Sequence, residues 1–136
     1  MRSAVLADTG PLYATLDPRD DKFEQARKDV SHLNSERLSV AVSFPVLCES
    51  YSLVLYRLGM DRARSWLEEV RGRASLINPT PQDYEAAADL MSGYPDQRLS
   101  LFDAVTAILS NRLMLPVWTY DHHFDVMRVE VWRSER

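Results

Sequence analysis

One cysteine in the whole chain, Cys48, leaves no internal disulfide to form, and an unpaired thiol fits a reducing compartment. No apolar run approaches the length of a membrane span. Met1–Asp8 carries one Arg and a short apolar stretch that soon meets a carboxylate, which is too short for a signal-peptide core, so a cytoplasmic protein is expected. No internal repeat, low-complexity tract or Gly/Ser linker marks a boundary, so residues 1–136 are read as one domain. An excess of positive charge is also missing. Sixteen Lys and Arg face 20 Asp and Glu, for a net charge of −4, which lacks the basic footprint of a sequence-blind DNA binder. A nuclease stays open, because carboxylates that hold cations count as negative charge without their metal.

What is present is alternation. With 46% hydrophobic and 26% charged residues the composition is that of a globular domain. Ala4–Ala7 is a short apolar run that stops at the turn Asp8-Thr9-Gly10-Pro11, before the helix-like Leu12–Leu16. Asp20 and Asp21 open a second helix with Phe23, Ala26, Val30 and Leu33 along one face. Leu38–Val42 reads as a strand. Ser43-Phe44-Pro45 starts a helix that runs through Glu49 to Leu58 and ends at Gly59. Asp61 caps another, with Trp66, Leu67 and Val70 on its inner side. Ala74–Ile77 is a strand, and Thr80-Pro81-Gln82-Asp83 combines an N-cap, a first-turn proline and a carboxylate three residues on. Ser100 opens a helix through Leu113, and Val117–Tyr120 is a strand ending at Asp121. Strands separated by helices imply an α/β fold with a central parallel sheet and helices on its faces.

Four acids lie where such a sheet binds ligands, beyond the carboxyl ends of its strands. Asp8 and Asp121 each follow a strand, and Asp103 sits in the first turn of its helix. Glu49 lies in a helix that is apolar on nearly every side, with no Lys or Arg three or four residues away to neutralise it. Each acid has an ordinary explanation: Asp8 as a helix cap, Asp103 as part of a Ser100-x-x-Asp103 capping box, Asp121 as a turn residue, Glu49 in a small polar pocket. One metal site explains the four together.

The ordered set resembles the PIN-domain family, and within it the VapC-like toxin ribonucleases. The matching segments are Asp8-Thr9-Gly10-Pro11-Leu12-Tyr13-Ala14, Leu47-Cys48-Glu49-Ser50, Leu99–Val105 with Ser100-Leu101-Phe102-Asp103-Ala104, and Trp118-Thr119-Tyr120-Asp121-His122-His123-Phe124. The resemblance implies a three-layer α/β/α fold and a Mg²⁺- or Mn²⁺-dependent ribonuclease. Such enzymes are usually homodimeric and held by a cognate antitoxin protein. It also implies metal binding and catalysis by Asp8, Glu49, Asp103 and Asp121, with Thr9 and Thr119 as supporting hydroxyls. Two departures stand out: Lys22-Phe23 where many relatives carry histidines, and no glycine near Met114-Leu115-Pro116, where one is common.

Hard divalent cations take oxygen ligands and activate water against phosphorus, which is the chemistry a carboxylate cluster supports. Asp125, in the same turn as Asp121, is an alternative ligand. Arg98 is the first candidate to meet RNA; Arg19, Arg57 and Lys22 are weaker ones. Tyr51, Leu55 and Trp66 are expected to be exposed, at a dimer or antitoxin interface. The competing reading is a catalytically silent PIN-like module that binds RNA or protein. Other chemistries fit less well. Asp8-Thr9-Gly10 spells the aspartic-protease triplet, but a helix follows at once. Gly10 stands where a haloacid-dehalogenase-like phosphotransferase needs a second Asp, and no Lys follows Lys28 for a receiver domain. Zinc is disfavoured, since His32, His122, His123 and Cys48 lack paired ligand spacings and the His122 and His123 neighbours are expected to point apart. His123 is then a packing or hydrogen-bonding residue, and Cys48 a small buried hydrophobe.

Overall fold

The computed structural model describes residues 3–134; Arg2 of the N-terminal run lies outside them. Five parallel strands form the centre: β1 (Ala4–Ala7), β2 (Ser39–Ser43), β3 (Ser75–Ile77), β4 (Val117–Trp118) and β5 (Val131–Trp132), in the order β3-β2-β1-β4-β5. The helices between them are α1 (Thr9–Ala14), α2 (Phe23–Ser35), α3 (Phe44–Leu58), α4 (Met60–Arg73), α5 (Pro81–Ser92), α6 (Leu101–Leu113) and α7 (His123–Val126). The expected α/β/α architecture is therefore present. Among the described residues no helix is long and apolar enough to cross a membrane.

Strand alternation divides the core. Val5 and Ala7 of β1 face one layer with Leu12, Leu33, Val46 and Trp66 from α1 to α4. Leu6, pointing the other way, packs with Ala41, Ala87, Val105 and Leu109 beneath α5 and α6. A third cluster, with Val117, Phe124, Val129 and Val131, seats α7 and β5. Both sheet faces are covered, as all-parallel sheets require.

The chain builds outward from β1 to β2 and β3, then crosses back to add β4 and β5 on the other side. The order reverses between β1 and β4, which opens a crevice at the carboxyl ends of those two strands. Asp8 follows β1 and Asp121 follows β4, so both acids stand at that crevice.

Several elements differ from the sequence reading. Helix α1 begins at Thr9, so Asp8-Thr9-Gly10-Pro11 is the helix start rather than a separate turn. Asp20 accepts the Lys22 N–H at 2.8 Å in a turn ahead of α2, which opens two residues later than expected. On α2, Ala26, Asp29 and Leu33 are buried and Val30 is exposed. A polar side chain displaces Val30 because four donors await Asp29 there. Gly59, not Asp61, is the N-cap of α4. Trp66 is not a surface anchor: it is 6% exposed, in the main core, and Tyr51 and Leu55 are half-buried. Cys48 is exposed rather than buried. Helix α3 turns Val46, Leu47, Ser50 and Val54 inward, and the 3.6-residue period carries Cys48 out. Strand β5 was not foreseen.

Candidate metal centre

Asp8 occupies the N-cap position of α1, yet its side chain makes no cap bond. Instead Asp8 Oδ2 accepts the Thr119 hydroxyl at 2.8 Å. Thr119 Oγ1 in turn accepts the Asp121 N–H at 3.0 Å. One buried hydroxyl thus ties together the ends of β1 and β4. Asp8 is buried, and no Lys, Arg or His is ion-paired with it among the described residues. Burial pushes its carboxyl up to about 6, against hydrogen bonds from the Thr119 hydroxyl and the Thr9 backbone, and repulsion from Asp103 and Asp121 adds to the rise.

Asp103 is the third residue of α6. Ser100 Oγ accepts its backbone N–H at 3.0 Å, one half of a capping box. The complete box lies elsewhere: in α5, Thr80 and Asp83 exchange both bonds, and Arg112 clamps Asp83 through two bonds of 2.8 and 2.7 Å. Asp103 has no such cation among the described residues. Burial raises its pKa first and the Asp121 charge second, while Ser100 and His123 act in the opposite sense. Its partly buried carboxylate is therefore held against its own repulsion.

Glu49 lies half-buried on α3. The Thr9 hydroxyl donates to Glu49 Oε1, and Ser50 donates to Thr9 Oγ1 at 3.4 Å. Glu49 thus reaches the end of β1 through a threonine rather than a cation. Asp121 Oδ1 accepts the His123 N–H at 2.9 Å, which starts α7. Asp125 is exposed and paired with Arg133 at 2.9 Å. Arg98 is exposed in the connection before α6, and Arg57 lies over the Tyr13 ring at 5.2 Å.

Two features escaped the sequence. The first is Asp29, 2% exposed, whose Oδ2 accepts Trp118 Nε1 at 2.9 Å and the Tyr120 hydroxyl at 2.5 Å. Its Oδ1 accepts Gln25 at 2.9 Å and Ser134 at 2.6 Å. The residues on either side of Thr119 are thereby pinned to α2. Burial and Asp29 also push the Tyr120 phenol up, so it stays protonated and keeps donating. The second feature is the histidine pair. His122 and His123 do not point apart: their rings lie 4.3 Å from each other, tilted by 33°, and both Nδ1 atoms approach Asp121 Oδ1, at 3.8 and 2.8 Å.

The donor set suits a divalent cation. It supplies hard carboxylate oxygens that repel one another and, among the described residues, a buried Asp8 with no counter-ion and a buried His123 Nδ1 without a hydrogen-bond partner. Each is a group whose cost a cation would remove.

Comparison with known proteins gives three findings. The family model described as PIN domain matches residues 5–130. Ribonuclease VapC26 of Mycobacterium tuberculosis is 29% identical over 127 residues, covering 91% of this chain and 92% of the relative. Among solved structures, the sarcin-ricin loop cleaving toxin VapC20 of Mycobacterium tuberculosis superposes with a TM-score of 0.83 at 19% identity, over 96% of this chain and 99% of that one. VapBC2 of Rickettsia felis, solved on a DNA fragment from its promoter, gives 0.75 at 13% identity, over 96% and 98%.

Proposed function

The chain belongs to the PIN-domain family, and from that premise we propose that it is a metal-dependent endoribonuclease, the toxin of a toxin–antitoxin pair, acting in the cytoplasm as a single-domain subunit. The observation that carries this reading is Asp8. A buried carboxylate with no counter-ion among the described residues, raised to about 6 by burial and by Asp103 and Asp121, is a site suited to an added positive charge.

In this reading Asp8, Glu49, Asp103 and Asp121 hold Mg²⁺ or Mn²⁺. When bound, the ion supplies a water of lowered pKa and neutralises charge on the phosphate. The chain does the rest. Thr119 fixes the Asp8 carboxylate and the Asp121 backbone with one hydroxyl, and Thr9 fixes Glu49. Asp29 holds Trp118 and Tyr120, so Thr119 stays aimed. Arg98 meets the RNA backbone. Metal binding requires Asp8 to give up the proton that burial favours, so activity should rise with pH through that region.

A toxin that cuts RNA needs a partner to silence it. Phe44, Leu101 and Phe102 are exposed and apolar at the starts of α3 and α6, beside Asp103. We assign this surface, rather than Tyr51, Leu55 and Trp66, to the cognate antitoxin. The test is incubation of the purified protein with labelled single-stranded RNA. Cleavage that EDTA stops and Mn²⁺ or Mg²⁺ restores supports an enzyme. Binding without cleavage in either ion leaves a silent module.

A further inference from the structure

Asp121 and His123 bring a carboxylate oxygen and an imidazole nitrogen together. His123 Nδ1 stands 2.8 Å from Asp121 Oδ1. The distance suits a hydrogen bond but the geometry closes none, and among the described residues the buried Nδ1 has no other partner. With the ring proton on Nε2, a buried Nδ1 this close to a carboxylate oxygen is repulsive unless a positive charge meets both. Neighbouring ligands of a six-coordinate ion with bonds of about 2.1 Å stand about 3 Å apart, close to the spacing found.

The arrangement is built by the backbone. Asp121 Oδ1 caps the His123 N–H at 2.9 Å, and Phe124, fully buried, anchors the next residue. The imidazole is thus returned to the carboxylate that starts its own helical turn. His122 lies against it, with its Nδ1 at 3.8 Å from the same oxygen. The ligand atoms of Asp121, His122 and His123 lie within 4.8 Å of one another, and among the described residues no other trio of histidine, cysteine or carboxylate groups gathers so closely. His123 is the better placed of the two: its side chain is 17% exposed, against 75% for His122.

We propose that His123 Nδ1 is a ligand of the cation held at Asp121, so that this centre takes a first-row transition ion in preference to Mg²⁺. The inference rests on the metal-centre reading above and adds a nitrogen to an otherwise all-oxygen set. Mg²⁺ keeps its waters and prefers oxygen, whereas imidazole strengthens binding along the series from Mn²⁺ towards Cu²⁺.

The test is pulsed electron paramagnetic resonance of Mn²⁺ bound to the full chain, which reads coupling to a directly bound ¹⁴N. The wild type should show it, His123→Gln should lose it, and His122→Ala should keep it. Labelling the wild type with ¹⁵N-histidine should replace the ¹⁴N signal, an identification that needs no substitution. Mn²⁺ affinity should fall about tenfold or more in His123→Gln, while Mg²⁺ affinity, read by competition, should move less than about twofold. Bound Mn²⁺ without nitrogen coupling in the wild type overturns the proposal and leaves the carboxylate centre standing, as does coupling that survives in His123→Gln. A wild type that binds no Mn²⁺ overturns both.

Discussion

The Thr119 hydroxyl donates to Asp8 Oδ2 at 2.8 Å across 111 positions of sequence, and accepts the Asp121 N–H at 3.0 Å. One side chain orients two acids on neighbouring strands. Thr119→Val keeps the shape and removes both bonds. It should weaken Mn²⁺ binding by roughly tenfold to a hundredfold, as loss of an outer-shell partner does, and Thr119→Ser should restore most of it. Calorimetric titration of Mn²⁺ into the three proteins checks this; equal affinities would remove Thr119 from the site.

Asp8 makes stability depend on pH in a stated direction. Its carboxyl titrates near 3.8 when free and at about 6 in the folded chain. Between those values the folded state binds the proton more tightly, so this group's contribution to stability falls as pH rises through the window. Below the window the cost is absent, and above it the cost reaches about 3 kcal/mol, taking about 1.4 kcal/mol for each pKa unit. In EDTA, Asp8→Asn should therefore gain on the wild type as pH rises from 4 to 7. Urea unfolding of both proteins across that range measures it, and parallel curves would contradict the assignment.

Asp103 separates a helix cap from a metal ligand. Burial and the Asp121 charge raise its pKa, so ionisation costs stability in the metal-free protein. Asp103→Asn should melt higher than the wild type in EDTA and gain less when Mn²⁺ is added. A residue that only favours the α6 N-terminus gives the reverse in EDTA, because Asn loses the charge that the helix dipole welcomes. Thermal melts of both proteins with and without Mn²⁺ decide between them.

Met114 lies in the segment where the resemblance implies a glycine. It closes α6 in the left-handed conformation, at φ 57°, with its side chain 84% exposed. A glycine there has no Cβ to strain and little packing to lose. Met114→Gly should stabilise the fold by about 1 kcal/mol, read as a higher urea midpoint. A lower midpoint would show that the exposed side chain contributes more than the backbone costs.

Much of this was legible in the sequence, because the signals were local. Apolar runs ending at Asp8 and Asp121, the Thr80-Pro81 helix start and Gly59 after Leu58 all act within a few residues. What escaped depends on distant chain. Asp29 faces inward only because Trp118, Tyr120 and Ser134 bring donors from the other end of the sequence. Strand β5 is two residues long and exists by pairing with β4, although buried Val129 and Val131 on either side of exposed Glu130 gave a faint alternation. Trp66 was read in two ways, inward by periodicity and outward as an interface anchor, and periodicity was right. The histidines were judged by sequence adjacency, which puts neighbours apart on an extended chain. Here the turn capped by Asp121 bends the backbone and brings both rings to one carboxylate.

The proposed metal centre requires Asp8 to exchange a proton for a metal. The most direct measurement is calorimetric titration of Mn²⁺ at pH 5.5 in buffers of different ionisation heat, which reads affinity and proton release together. With a pKa of about 6, roughly three quarters of Asp8 carries a proton at that pH. Wild type should bind Mn²⁺ and release most of a proton, and Asp8→Asn should bind far more weakly and release much less. Equal binding by Asp8→Asn, with the same proton release, would contradict the central role given to this carboxylate.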